Sequence, residues 1–200
     1  MKLRVFKILK HTKVEGPGIR YCIWVQGCSR HCIGCQSPQT WAKKSGNIYE
    51  TSDIIKDILS QTDIEGVTFL GGEPFEQADA LGIIAEEVKG AGLSVLCFTG
   101  DLIENLYKNP KNKKLIDNTD LLIDGDFQIE NLDYSRPWCG SSNQRYHFLT
   151  DRYGEDIFKK YKNKVEINIS ENGTIFMNGI GNFDDIIQKV DLADKEKCYK

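Results

Sequence analysis

Between residues 51 and 124, short apolar runs alternate with stretches in which apolar residues recur every three or four positions, and this rhythm restricts the fold more than any other feature of the chain. TSDIIKDILSQ (51–61) opens on cap-forming residues and sets Ile54, Ile55, Ile58 and Leu59 along one helical face. GVTFL (66–70) follows as a short buried strand. PFEQADALGIIAEEVKGAG (74–92) has helical spacing, with Leu81, Ile84, Ala85 and Val88 on one side and Gly90 to Gly92 as terminator. A strand LSVLCF (93–98), a shorter helix near 101–107 that stops before Asn109-Pro110, and a strand DLLID (120–124) complete the series. Strands separated by helices are joined by crossovers, so the expected class is α/β with a parallel sheet.

The flanks depart from that rhythm. Leu3–Leu9 and Ile19–Gln26 are strand-like, and VEGPGIR (14–20) between them is a loop. The polar stretch 108–114 reads as a solvated connection. KVEINISENGTIFMNG (164–179) carries period-two apolar residues on either side of Asn172-Gly173, a strong hairpin signal, and Asp184–Val190 is a last helix. No firm domain boundary appears. Residues 1–150 form the unit that holds the motifs, and 151–200 a hairpin-helix extension packed on the same domain.

Two hundred residues suit one domain with a real core. Twenty-six Lys and Arg against 29 Asp and Glu, for a net charge of -3, argue against a chain built to neutralise phosphates, so no nucleic-acid partner is expected. No apolar run reaches the ~18 residues of a membrane span and MKLRVFKILK is no signal peptide, so the chain reads as cytoplasmic with no membrane partner. Seven cysteines are too few for a disulfide scaffold, and three of them crowd into GCSRHCIGC.

Cys28, Cys32 and Cys35 stand three and then two residues apart just after a strand, so one compact loop can supply all three to a single centre. Thiolates are soft ligands for zinc or for iron-sulfur clusters. A closed zinc site needs a fourth ligand, and here it would be His31, Cys22 or something distant, since there is no second CxxC pair. For a 4Fe-4S cluster the shortfall has a use, because three thiolates leave one iron open to a small molecule. The alternatives stay open on spacing alone.

The second constellation is Gly71-Gly72-Glu73-Pro74, where a buried strand runs into a helix. Ligands sit at the carboxyl ends of parallel strands. Paired glycines bring backbone close to a ligand, Glu73 offers a partner for an ammonium group, and Pro74 stiffens the turn; a tight turn with a capping glutamate is the plain alternative.

Together the two motifs resemble the radical S-adenosylmethionine superfamily, with its CxxxCxxC loop after the first barrel strand and a GGE-type turn after the second. VEGPGIRYCIWVQGCSRHCIGCQSPQTW, with Thr40-Trp41 at its end, resembles the start of glycyl-radical-enzyme activating proteins. CFTGD (97–101), LLIDGDF (121–127) and CGSSNQRYHFL (139–149) are similar to segments of the activators of anaerobic ribonucleotide reductase. The resemblance implies a partial (βα) barrel over 1–150, a 4Fe-4S cluster on Cys28, Cys32 and Cys35, and S-adenosylmethionine chelating the open iron. It assigns Gly71, Gly72 and Glu73 to the methionyl amino group. It further implies a low-potential electron donor such as a flavodoxin or ferredoxin. The deoxyadenosyl radical would take a hydrogen from a glycine of a large partner, an anaerobic ribonucleotide reductase.

This chain departs from the pattern at Gly34 and Gln36, where many members carry an aromatic, so no adenine-stacking residue is identified; Trp41 is expected to pack on the core. His31 reads as an exposed loop residue, Asp124 and Asp126 as loop carboxylates or ligand contacts, and Ser141, Ser142 and Asn143 as a capped turn. Cys22, Cys97, Cys139 and Cys198 read as small hydrophobes or incidental thiols. Two rivals remain: a small radical enzyme that modifies a ribosomally made peptide, and a non-catalytic metal-binding module.

Overall fold

The computed structural model describes residues 1–188. Seven strands form one sheet: β1 (Lys2–Thr12), β2 (Arg20–Val25), β3 (Asn47–Glu50), β4 (Gly66–Gly71), β5 (Ser94–Phe98), β6 (Leu121–Asp124) and β7 (Arg145–Phe148). Their order is β3-β1-β2-β4-β5-β6-β7. The central four, β2, β4, β5 and β6, are parallel, while β1, β3 and β7 add antiparallel edges. The α/β class and the parallel centre agree with the sequence reading.

The parallel strands advance in one direction without reversal, so right-handed crossovers put the helices that connect them on the same face. There α1 (Thr51–Leu59), α2 (Ala78–Gly90) and α4 (Lys113–Asp117) lie side by side, with the single-turn α3 (Ile103–Leu106) nearby. Leu81, Ile84, Ala85 and Val88 of α2 are fully buried against Tyr21, Ile23, Val67, Phe69 and Val95. Each Leu, Ile or Val so buried stabilises the fold by roughly 1.5–3 kcal/mol. Alternate strand residues point the other way: Cys22, Trp24 and Leu70 form one cluster, and Leu96, Leu121 and Ile123 another.

That second face is covered by the loop before β7 and by the chain after it. Trp138, Cys139 and Ile157, the last from the short α5 (Ile157–Lys160), seal Leu96, Leu121 and Ile123. The hairpin β8 (Val165–Ile169) and β9 (Ile175–Gly179) lies on the Trp24 side, where Phe176 meets Trp24 edge to face with ring centres 5.7 Å apart. Its turn runs from Ser170 to Thr174 with Gly173 at φ 82°, longer than a two-residue Asn-Gly turn.

Glu15 joins hairpin to sheet: its Oε1 accepts from the Gly179 N–H at 2.6 Å and from Asn178 Nδ2 at 3.3 Å. Burial pushes the Glu15 carboxyl up to about 7, against the pull of those donors and helped by nearby Glu166. A carboxyl raised in the folded state contributes stability that is complete below its unfolded value and lost as pH rises through about 7. Unfolding by urea at pH 5 and pH 8 should therefore show a larger fall for the natural chain than for Glu15→Gln; equal falls would refute this.

Arg20 is also fully buried, at the opposite ends of the strands from the cysteines. Its guanidinium donates to Thr68 Oγ1 at 3.0 Å, to Ser94 Oγ at 2.6 Å and to the Val67 carbonyl, tying the starts of β2, β4 and β5. The arginine of the VEGPGIR segment is thus a structural clamp.

Local periodicity does not reveal β3 and β7 as strands. The stretch 108–114 is partly structural, because Asn112 is buried and α4 buries Leu115 and Ile116. Residues 184–188 of the expected last helix are helical, and the rest of it lies outside the described residues. Among the described residues no helix is long and apolar enough to cross a membrane.

Candidate functional site

β2 ends at Val25, and the chain turns at Gly27 (φ 106°) into the cysteine loop. Cys28 is nearly buried, whereas Cys32 and Cys35 are half-buried, and all three are free thiols. The Cys35 N–H closes a turn on the Cys32 carbonyl at 3.1 Å, and the Ser37 N–H points at Cys35 Sγ at 3.4 Å. Burial raises the Cys28 thiol although the backbone N–H groups of Arg30 and His31 favour its thiolate; burial raises Cys32 likewise. Thiols held in their protonated form release protons when they ligate a metal.

Gly71 and Gly72 end β4 directly against that loop. The Gly72 N–H donates to the Val25 carbonyl at 2.9 Å and the Glu73 N–H to the Gly27 carbonyl at 2.8 Å. A Cβ on Gly72 would stand 2.2 Å from the Gly27 oxygen, and one on Gly71, at φ 102°, would stand 2.7 Å from Trp24 Cα. The two glycines are therefore needed to let the two motifs touch, and the N–H groups of Gly72 and Glu73 are committed to the loop.

Glu73 is buried with its oxygens engaged. Oε1 accepts from Thr99 Oγ1 at 2.8 Å and from the Phe75 N–H at 3.1 Å; Oε2 accepts from the Gly100 N–H at 3.0 Å and lies 3.5 Å from Arg30 Nε. Burial raises its carboxyl, and these donors and Arg30 oppose the rise. The carboxylate thus pins the turn after β4 to the chain after β5, a positioning role beside the ammonium contact expected of it. Glu73→Gln would set an amide donor against the Gly100 N–H or lose the Arg30 contact, at a cost of about 1–3 kcal/mol. Thermal denaturation should show a drop of several degrees, and an unchanged midpoint would contradict the arrangement. Pro74 is buried and opens the 3-10 turn Pro74–Gln77.

All three cysteines share one cavity of about 150 Å³ with Gly71, Gly72 and Glu73. Pro74 is not in its wall. Among the described residues no three His, Cys, Asp or Glu converge closely enough for a single metal ion. A 4Fe-4S cluster puts each thiolate on a different iron, so its ligands stand wider apart than those of one ion, and the donor set suits the larger group. Neither candidate fourth ligand lines the cavity: Cys22 is buried on β2, and His31, at φ 51°, stacks on Trp41 with ring centres 4.6 Å apart. Trp41 consequently belongs to the cavity wall instead of the core.

The other walls come from strand ends: Phe98 at the end of β5 with Thr99 and Gly100 after it, Gly125 and Phe127 after β6, and Gln144 before β7. For all but Gln144, their place at the carboxyl ends of parallel strands is the signal that could have found them. Asp124, in contrast, is buried and held by Arg145 at 2.6 and 2.9 Å and by the Ile103 N–H at 2.8 Å. Glu76 was also missed; it accepts from the Ser29 N–H at 2.8 Å and meets Lys43 at 3.0 Å, tethering the cysteine loop. A larger cavity of about 760 Å³ lies beyond Glu76 and contains none of the cysteines.

The model of the 4Fe-4S single cluster domain matches residues 14–147. The chain belongs to the 4Fe-4S single cluster domain family. An anaerobic ribonucleoside-triphosphate reductase-activating protein of Enterobacteria phage T4 is 30% identical over 145 residues, covering 69% of this chain and 89% of that one. Its namesake in Salmonella typhimurium is 32% identical and covers 68% and 92%. The pyruvate formate-lyase-activating enzyme of Listeria monocytogenes is 32% identical over 60% of this chain and 51% of its own. The crystal structure of QueE from Escherichia coli overlaps at TM-score 0.39 and 20% identity, covering 50% of this chain and 53% of that chain, too little to bear on the fold. The family chain is a radical S-adenosylmethionine enzyme of the activating kind, and its cofactors are a 4Fe-4S cluster and S-adenosylmethionine.

Proposed function

We propose that this chain, in the cytoplasm, installs a glycyl radical on a large partner enzyme, an anaerobic ribonucleotide reductase, drawing its electron from a low-potential carrier such as a flavodoxin or ferredoxin. The observation that carries the reading is the single cavity in which Cys28, Cys32 and Cys35 meet Gly71, Gly72 and Glu73 from a separate strand end. In this reading the sheet is the partial barrel of the superfamily, residues 1–150 are its catalytic unit and 151–200 an extension packed on it. The three thiolates hold the cluster. The turn at 71–73 seats the methionyl amino group; with the Gly72 and Glu73 N–H groups engaged, it does so through acceptor oxygens, which is what an ammonium group requires.

Held by Cys28, Cys32 and Cys35, a bound cluster would supply the one-electron reduction by which S-adenosylmethionine gives methionine and the deoxyadenosyl radical that would take a hydrogen atom from the partner's glycine. The chain's own contribution is to hold these groups and keep water away. Phe98, Phe127 and Trp41 supply apolar wall to the cavity, and Arg30, bound to Asp101 at 2.9 Å, closes one side. Reconstituted anaerobically with S-adenosylmethionine, dithionite and the reductase, the chain should produce a glycyl-radical signal in electron paramagnetic resonance. Deoxyadenosine without that signal would remove the activase reading.

A further inference from the structure

The hairpin β8–β9 lies beyond residue 147, where the family model ends, yet it touches the site from one side. Phe176 packs with Cys22, Trp24 and Leu70 on the inner face of the sheet. Hydrogen bonds hold it there, among them Thr12 Oγ1 donating to Glu166 Oε2 at 3.1 Å. Asn178 Nδ2 donates to Thr12 Oγ1 at 3.0 Å, Glu15 takes the Gly179 N–H, and Gln36, one residue past Cys35, donates to the Gly181 carbonyl at 2.7 Å. The last contact ties the end of the hairpin to the cysteine loop itself.

The hairpin shapes what surrounds the cysteine cavity. Between hairpin and sheet only about 110 Å³ remains, bounded by Trp24, Gly71 and Phe176. On the other side a groove of about 420 Å³ shares Cys35 and Phe127 with the cysteine cavity. The loop with Ile129 and Leu132 forms one wall of that groove, and residues 181–184, which continue the hairpin, form the other. Ile129 and Leu132 are each about half exposed, so the rim is apolar and open.

We propose that the C-terminal hairpin is a strap that roofs the inner face of the sheet and, through residues 181–184, forms the selecting wall of the entrance to the cysteine cavity, admitting a single extended polypeptide segment as radical acceptor. This rests on the activase reading. An extended chain is narrower than a helix about 10 Å wide and advances about 3.3 Å per residue, so it reaches toward Cys35 with few residues. A hairpin of two strands has little stability of its own, so its place depends on the contacts to Thr12, Glu15, Trp24 and Gln36.

The test uses the reconstituted full chain with S-adenosylmethionine, dithionite and reductase. Glu15→Ala removes the acceptor for Gly179 and Asn178, and Glu15→Gln keeps an acceptor oxygen. Hydrogen exchange of the β8 and β9 amides should quicken by about tenfold in Glu15→Ala, with β4 and β5 amides unchanged, and return toward the natural rate in Glu15→Gln. In the same variant, deoxyadenosine formed per glycyl radical should rise several-fold, because a loosened wall lets the adenosyl radical be quenched by other donors. Phe176→Ala, which removes the contact with Trp24, should act in the same direction if Glu15→Ala proves unstable. Faster exchange with an unchanged ratio, or unchanged exchange in both variants, overturns the proposal. A natural chain that cleaves the cofactor but marks no reductase overturns the activase reading instead, and the strap is then judged by whether Glu15→Ala raises deoxyadenosine formation without partner.

Discussion

Cys28→Ser, Cys32→Ser and Cys35→Ser should each reduce deoxyadenosine formation by at least ~10³-fold, because the cleavage has no route that bypasses the cluster. A serine hydroxyl is a hard, poorly ionised donor in place of a soft thiolate, and a cluster held by two thiolates has lost a third of its protein ligation. Iron and sulfide content after anaerobic reconstitution, together with the visible absorption of the cluster, measures the loss directly. The fold should survive: Cys32 and Cys35 sit half-buried in a loop outside the sheet, where substitutions cost within about 0.5 kcal/mol. Cys22→Ser is the control. Its side chain is fully buried beside Trp24 and Leu70, so it should lower stability by about 1–3 kcal/mol while leaving the cluster intact. A Cys28, Cys32 or Cys35 variant with full iron content and turnover would exclude that residue as a ligand.

Gly72→Ala should be the most damaging single methyl group that the chain can acquire near the site. The new Cβ would lie 2.2 Å from the Gly27 oxygen and 2.9 Å from the Gly27 carbonyl carbon, both backbone atoms that cannot swing aside. Relief requires β4 to separate from the start of the cysteine loop, and the Glu73 N–H bond to Gly27 goes with it. Overpacking of this kind costs about 3 kcal/mol. For a chain of 200 residues that corresponds to a fall of roughly 6–12 °C in Tm. Binding of S-adenosylmethionine should weaken in parallel, since the turn and the cysteines no longer share one cavity. Gly90→Ala provides the contrast, because nothing lies within 4 Å of its Cβ position at the end of α2; alanine there should be neutral or stabilising by up to about 1 kcal/mol. A Gly72→Ala protein with the natural Tm would show that the contact between the two motifs is not needed.

The local pattern made the centre of the molecule legible. β4, β5 and β6 are apolar runs buried on both faces, and the turn of helix between each pair shows its own spacing, so a parallel sheet follows from periodicity alone. Edges are different. All four residues of β3 are exposed, and β7 is RYHF with every residue half-buried; an edge strand needs only a backbone partner, which leaves no mark in side-chain polarity. The antiparallel pairing of β1 with β2 was equally hidden, because periodicity reports the face a residue takes and not the direction of its neighbour.

At the site, the spacing of Cys28, Cys32 and Cys35 and the Gly71-Gly72-Glu73 turn were visible in the sequence because short motifs carry their chemistry in residue type and separation. Where those residues spend their hydrogen bonds was not. Glu73 reaches Thr99 and Gly100, Gly72 meets Gly27, and Trp41 stacks on His31, contacts made across loops whose course depends on the packing of the whole sheet. The candidate cluster ligands and the glycine turn were thus written in the chain, while their convergence on one cavity, and the place of the hairpin beside it, came only from long-range packing, since the ends of four strands distant in sequence are brought together by a sheet and by nothing local.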